Sequence, residues 1–300
     1  MFRTKKQKEK LSDDLVAMSR KNARIYDILS RLVRNRLGML GMIIIVVLLV
    51  LVIFAPIFTK YPYDAQSFRD KFISPCWEHP LGTDNFGRDL WSRMLYGGRI
   101  SLLVSLVAIA ISSAVGITVG AVAGFFGGRV DNIITRILDI LMSIPSLLMA
   151  IAVSSALGSG PMKTALAIAI AGIPYSARVM RSTVLTIKEN EYIEAAQATG
   201  STNARIIFRH VLPNTIAPLI VSATLDIGGN IMAISGLSFV GLGVQAPTPE
   251  WGSILSAGRE FLRDFPPIVI FPALFIGLTL FSFNILGDAL RDALDPRLKD

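Results

Sequence analysis

Between Arg99 and Arg129 the chain runs for 29 residues without a charge, and an earlier run, 37–59, is also uncharged. Coiled as helices at about 1.5 Å per residue, both runs exceed the roughly 30 Å hydrocarbon core of a bilayer. Backbone polar groups at that depth have no water to bond, so segments of this kind must satisfy them internally, as a helix does. Composition agrees: 52% of residues are hydrophobic and only 17% charged, where a soluble domain carries about 25% charge. The sequence predicts an all-α integral membrane protein.

Six transmembrane helices are expected. The first covers 38–59 and ends near Ala55-Pro56. The second follows Arg99. Its Gly116, Gly120 and Gly124 recur every fourth residue, a small-residue face suited to close helix packing rather than to a pore. The third, 130–157, holds Pro145. The fourth, 164–180, is short and holds Pro174, so it leans on neighbours or breaks. The fifth and sixth are 214–236 and 266–287. The resulting plan is a cytoplasmic tail with an amphipathic interfacial helix (1–37), the first span, an extracytoplasmic loop (60–97), a transmembrane domain (98–290) and a cytoplasmic tail (291–300). Of the 30 Lys and Arg residues, 21 fall on the side of the termini. The positive-inside rule therefore puts both termini and the 178–213 segment in the cytoplasm.

A single cysteine, Cys76, excludes an internal disulfide. Cys76-x-x-His79 lacks a second pair, so no metal site is expected. The net charge of +8 comes without a nucleic-acid-reading motif and fits a basic cytoplasmic face instead. The absence of a Gly-Lys dipeptide rules out a phosphate-cradling loop of the Walker type. No nucleophile–base constellation suggests an enzyme.

The polar interruption 178–213 is the most informative stretch. It reads as two short helices at the membrane surface. Glu191 and Glu194 sit where a helix N-terminus favours negative charge, and Gly200 suits a C-terminal stop. Ser201 is placed to cap a second helix over 202–212, which carries Arg205, Arg209 and His210 and ends at Leu212-Pro213. The order Glu194-Ala195-Ala196, Ala198, Gly200, then Arg209-His210-x-Leu212-Pro213-Asn214 closely resembles the EAA loop of ABC-importer permeases. Three other stretches are similar to the dipeptide/oligopeptide branch of that family, DppC/OppC-like: His79 to Asp84 with Gly87-Arg88-Asp89, Ala246 to Gly252, and the ending Asp288 to Asp300.

The resemblance implies the type I importer permease (MetI-like) fold and a subunit that translocates di- or oligopeptides by alternating access. It implies ATPase coupling through Glu191, Glu194, Ala195, Ala196, Ala198, Gly200, Arg205, Arg209 and Pro213. The implied partners are a homologous second permease in a heterodimer, two ATPase subunits and an extracytoplasmic peptide-binding protein, all at the cytoplasmic (inner) membrane. ATP and Mg would bind the ATPase subunits and no cofactor this chain. Asp84, Arg88 and Trp91 are the candidate contacts to the binding protein. Nickel or glutathione permeases are close relatives, so those solutes stay open.

Asp226, mid-span, is a candidate for the substrate path together with Asn230, because an ionisable group there is costly. The alternative is a carboxyl satisfied by neighbouring dipoles in a polar wall. A secondary transporter using Asp226 as an ion site is the rival from another class. Such folds show paired broken helices in two halves, and no pairing of that kind is evident.

Overall fold

The structure, a computed structural model, describes residue 26 and residues 28–294. Most of the expected interfacial helix and the end of the C-terminal tail lie outside the described residues. Helix α1 (Arg36–Ile53) starts where Asn35 Oδ1 accepts from Gly38 N at 3.0 Å. It stops at Phe54, just before Pro56, and Ala55–Phe58 adds one more short turn.

Helix α2 (Leu90–Phe126) is a single run of 37 residues. It begins ten residues before the uncharged stretch and crosses the expected 97/98 boundary without a break. The cause is Asp89, whose carboxyl accepts from Ser92 N and Ser92 Oγ, both at 2.7 Å, and caps the helix well outside the apolar core.

The expected third span is two helices, α3 (Gly128–Met142) and α4 (Ser146–Leu157), bent by 85°. Pro145 has no N–H to offer the turn before it and disfavours helical backbone at Ile144. Helix α5 (Pro161–Lys188) stays continuous through Pro174 and absorbs residues 178–188, which the sequence had suggested were part of the surface segment.

Helix α6 (Glu191–Ala198) precedes α7 (Asn203–Phe239). The second short helix expected over 202–212 does not end at Pro213. It runs on into the fifth span through a π-turn at Ile207–Val211. Pro213 cannot donate to the preceding turn, and the wider turn takes up the mismatch. Asn214 Nδ2 donates to the His210 carbonyl at 2.7 Å. Helix α8 (Trp251–Gly258) is short, and α9 (Pro267–Leu294) closes the bundle.

Among the described residues four helices, α1, α2, α7 and α9, are long and apolar enough to cross a membrane, and the bent α3–α4 pair makes a fifth. The remaining expected span lies in α5. Its second half carries Arg178, Arg181 and Lys188, so it is less apolar than the others.

Helices α2 and α5 form the most extensive contact, side by side and parallel. A Cβ on Gly116 would lie 2.4 Å from Ser176 Cβ, one on Gly120 2.3 Å from the Ala177 carbonyl, and one on Gly124 2.9 Å from Val184 Cβ. The stripe is therefore a packing face. Helix α1 packs against α9 through Gly38 and Gly41 in the same manner. This arrangement gathers Asn35, Phe126, Lys188, α6 and Leu294 at one end of the bundle. The 60–89 loop, the 240–250 segment and α8 occupy the other.

Substituting Gly120 by Val should lower the thermal stability of the purified complex by about 1–3 kcal/mol, the usual cost of overpacking. Gly277→Ala, where an added Cβ meets nothing within 4 Å, should leave the melting temperature unchanged. Equal melts for the two variants would refute the packing assignment.

Candidate functional site

At the first end, α6 rides on a small apolar anchor. Ile193, Ile206 and Val211 are fully buried against Phe125 of α2 and Met180, Val184 and Ile187 of α5. Burying such side chains contributes roughly 1.5–3 kcal/mol each. Lys188 Nζ donates to the Phe125 carbonyl at 2.7 Å and closes the end of α2 onto that of α5.

Gly200 has φ +77°, with Ser201 N donating to Ala196 O at 3.1 Å and Gly200 N to Gln197 O at 2.9 Å. That pair of bonds is the glycine stop expected of the sequence. The next helix is capped by Thr202, not Ser201: Thr202 Oγ1 accepts from Arg205 N at 3.4 Å.

Of the residues singled out there, Glu191, Glu194, Ala195, Ala198, Gly200, Arg205, Arg209 and Pro213 are exposed and Ala196 is half-buried. Phe208, 72% exposed, and Tyr192 stand beside them. The result is a rigid platform that presents small residues, charges and two aromatic rings. Behind it Arg181 grips Asp131 with two bonds, at 2.5 and 2.6 Å, and Arg178 pairs with Asp139, joining α5 to α3.

At the opposite end a cluster of polar residues is inside, while Lys60, Arg69, Lys71, Glu78 and Arg259 stay exposed. Asp84 is 2% exposed and Arg88 7%. The Asp84 carboxyl accepts from Phe86 N at 2.8 Å, Arg88 N at 3.0 Å and Arg88 Nε at 2.6 Å. Both groups thus hold the loop shut and leave little to offer a partner. Trp91 is half-buried and donates Nε1 to the Phe58 carbonyl at 2.9 Å, tying α2 to the end of the first span. His79 stacks on Tyr61 and sets Nδ1 3.0 Å from Asp89 Oδ1, so the Cys76-x-x-His79 pair is part of the loop's framework. On the loop surface, bonds from Tyr61 and Lys60 hold the Glu78 carboxyl below its ordinary range.

Sequence reasoning missed Glu250. It is fully buried, and its two oxygens accept four hydrogen bonds, from Ser101 Oγ, Ser238 Oγ, Gly252 N and Ser253 N, at 2.8–3.0 Å. One carboxyl thereby clamps α2, α7 and α8 together. Its signal was its place, one residue before the first turn of a short helix. Trp251 beside it donates Nε1 to the Met94 carbonyl at 2.8 Å.

Asp226 and Asn230 lie four residues apart on α7 and so share a face. Both are half-buried, and Gly229 between them is exposed. The flanking residues face elsewhere: Leu225 packs on Gly287, and the Ile227 carbonyl accepts from Ser105 Oγ at 3.2 Å.

Two family models match. One, the binding-protein-dependent transport system inner membrane component, covers residues 116–300. The other, the N-terminal TM domain of oligopeptide transport permease C, covers 24–75. The chain belongs to this family of ABC importer permeases. It is 44% identical to a dipeptide transport system permease protein, DppC, of Alkalihalophilus pseudofirmus, over 91% of this chain and 90% of that one. It is 43% identical to a glutathione transport system permease protein, GsiD, of Escherichia coli, over 83% and 84%. Among solved structures, the inward-facing MetNI methionine ABC transporter matches with a TM-score of 0.54 at 17% identity. That match covers 66% of this chain and 95% of the other. The fold is thus the MetI type, and the protein is a multi-pass inner-membrane permease of the peptide branch.

Replacing Glu250 by Gln puts an NH2 group among four donors. The complex should lose roughly 1–3 kcal/mol of stability, the cost of unsatisfied buried groups. Heating followed by size-exclusion chromatography measures this, and a wild-type profile would show that the clamp is dispensable.

Proposed function

We propose that this chain is the C-type half of a heterodimeric channel that imports di- or oligopeptides, driven by two separate ATPase subunits and fed by an extracytoplasmic binding protein. The observation that carries the reading is the α6 platform: an exposed, small-residue helix fixed by a buried anchor to the ends of α2 and α5. Small residues let a partner's surface approach closely. The anchor makes the platform move with the bundle rather than independently of it.

The charge asymmetry supports a cytoplasmic position for the platform and both termini, where an ATPase can reach them. In this reading ATP binding draws the two coupling segments together, and the central cavity opens outward. Dissociation after hydrolysis returns it. ATP and Mg sit in the ATPase subunits. Glu191, Glu194, Ala195, Ala196, Ala198, Gly200, Arg205, Arg209 and Pro213 form the coupling surface, with Phe208 as an added contact. The dipeptide-permease relative favours peptides, and the glutathione-permease relative keeps a γ-linked tripeptide within range. Asp226 and Asn230 line the path on a face of α7 where no side-chain bond from the described residues reaches them.

The decisive experiment reconstitutes the complete complex with its binding protein and follows dipeptide uptake and ATP hydrolysis. Ala198→Asp should abolish substrate-stimulated hydrolysis while leaving membrane insertion intact, because the new charge meets the ATPase in a close contact. Gly200→Val should act similarly and also cost about 1–2 kcal/mol locally for a side chain in left-handed backbone. Normal stimulation in either variant would overturn the coupling assignment.

Asp226→Asn in the same vesicles should reduce uptake several-fold without lowering complex yield. Unchanged uptake would remove Asp226 from the path.

A further inference from the structure

A cleft of about 810 Å³ lies at the end of the bundle away from the platform, between the first loop, the start of α2 and residues 238–259. Its volume lies in the range of small-molecule sites, roughly 300–1,000 Å³. Three guanidinium side chains line it, those of Arg88, Arg93 and Arg259, and no Asp or Glu does.

Arg93 is 4% exposed, and its Nε is sealed from solvent without a hydrogen-bond partner. The carboxylate oxygen facing it, Asp84 Oδ2, is 3.6 Å away and already accepts from Arg88 Nε at 2.6 Å. One terminal nitrogen of Arg93 donates to the Tyr63 carbonyl at 3.4 Å. A buried guanidinium so thinly satisfied is costly unless something else completes it.

Arg259 is exposed at the cleft, with its guanidinium 5.1 Å from the centre of the Phe239 ring and, among the described residues, no carboxylate paired to it. Arg88 lies over Phe86 in the same way, at 4.6 Å. The acidic groups around it are Asp84 and Glu250, both occupied by the bonds described above, and the exposed Asp64 near Arg93. The cleft wall therefore presents planar, forked donors and no carboxylate of its own, beside an apolar surface that includes Phe239, Val240, Val244 and Pro247. That combination suits a carboxylate attached to a short apolar body.

We propose that this cleft is a carboxylate subsite, in which Arg93 and Arg259 receive the C-terminal carboxylate of a short peptide as it enters the path. The proposal rests on the reading that the chain imports peptides.

The test uses the full transporter complex in nanodiscs without binding protein, with radiolabelled dialanine and dialanine amide as probes in equilibrium dialysis. Dialanine should bind about tenfold more tightly than its amide, the equivalent of one good charge-assisted contact. Arg259→Gln should erase that preference without affecting folding, since the side chain is exposed, and Arg259→Lys should keep part of it. Arg93→Gln should do the same where the complex remains assembled.

Equal binding of acid and amide, binding of neither, or a preference that survives Arg259→Gln would each overturn the proposal. So would weakened binding-protein association in Arg259→Gln with dialanine retention unchanged, an outcome that assigns the cleft to an acidic side chain of that protein. Binding-protein association and dipeptide uptake are measured in parallel, on the complete complex with its binding protein in vesicles. Intact uptake with no acid preference removes only the subsite, whereas absent uptake removes the peptide reading itself.

Discussion

The parallel contact between α2 and α5 sets the positions of nearly everything else. Along it, Gly116, Gly120 and Gly124 leave no room for a side chain, so the two backbones meet almost directly. In a bilayer there is no strong hydrophobic drive between apolar helices, and close packing of small residues is a main source of association. Two parallel helices need a return between them. The bent α3–α4 pair provides it, with the break set by Pro145. Because α2 and α5 end level, Lys188 can reach the Phe125 carbonyl and the α6 anchor can close over both ends.

Polar chemistry then separates by end. At the platform the charged groups are exposed and the anchor is apolar, which on the coupling reading suits a partner's approach. At the other end a buried polar cluster lies beneath the exposed charges. Asp84, Arg88, Asp89 and Glu250 are buried and bonded, and the exposed side chains include Trp77 and Arg259. The loop owes its shape to these internal bonds, and a loop held this firmly can present a fixed surface to whatever approaches it.

Periodicity and charge made the broad architecture legible. The uncharged runs located the long helices, and the glycine spacing gave the packing face correctly. Glu194-Ala195-Ala196 with Gly200 marked the platform, and Gly200 does terminate α6 as expected. Boundaries were harder to read, because caps override apolar content. Asp89 starts α2 inside a polar stretch, and the π-turn before Pro213 fuses two expected elements into one. Asp84 and Arg88 are buried and bonded to each other, and their burial, unlike their cancelling charges, has no mark in the sequence. Glu250 was hard to read for the complementary reason: its place before a short helix hints at a cap, but its importance comes from Ser101 and Ser238 on two other helices, and no local pattern announces a pairing across three helices.

The platform and the cleft are joined by one rigid body. Arg93 and Phe125 belong to the same unbroken helix, 32 residues apart, or about 48 Å at the usual rise. Glu250 fastens that helix near its cleft end to α7 and α8, and the α6 anchor fastens it at the other to α5 and the start of α7. Helix α7 is itself part of both fastenings. A helix this long, held at both ends by buried contacts, transmits a tilt rather than absorbing it. On the coupling reading, a displacement of α6 would therefore carry Arg93 on α2 and Arg259, which follows α8, together, because Glu250 and the Trp251–Met94 bond hold those two elements to each other. A subsite built across them would keep its shape and change only its tilt relative to the rest of the bundle, so its cargo would be released by a change of access rather than by the subsite coming apart.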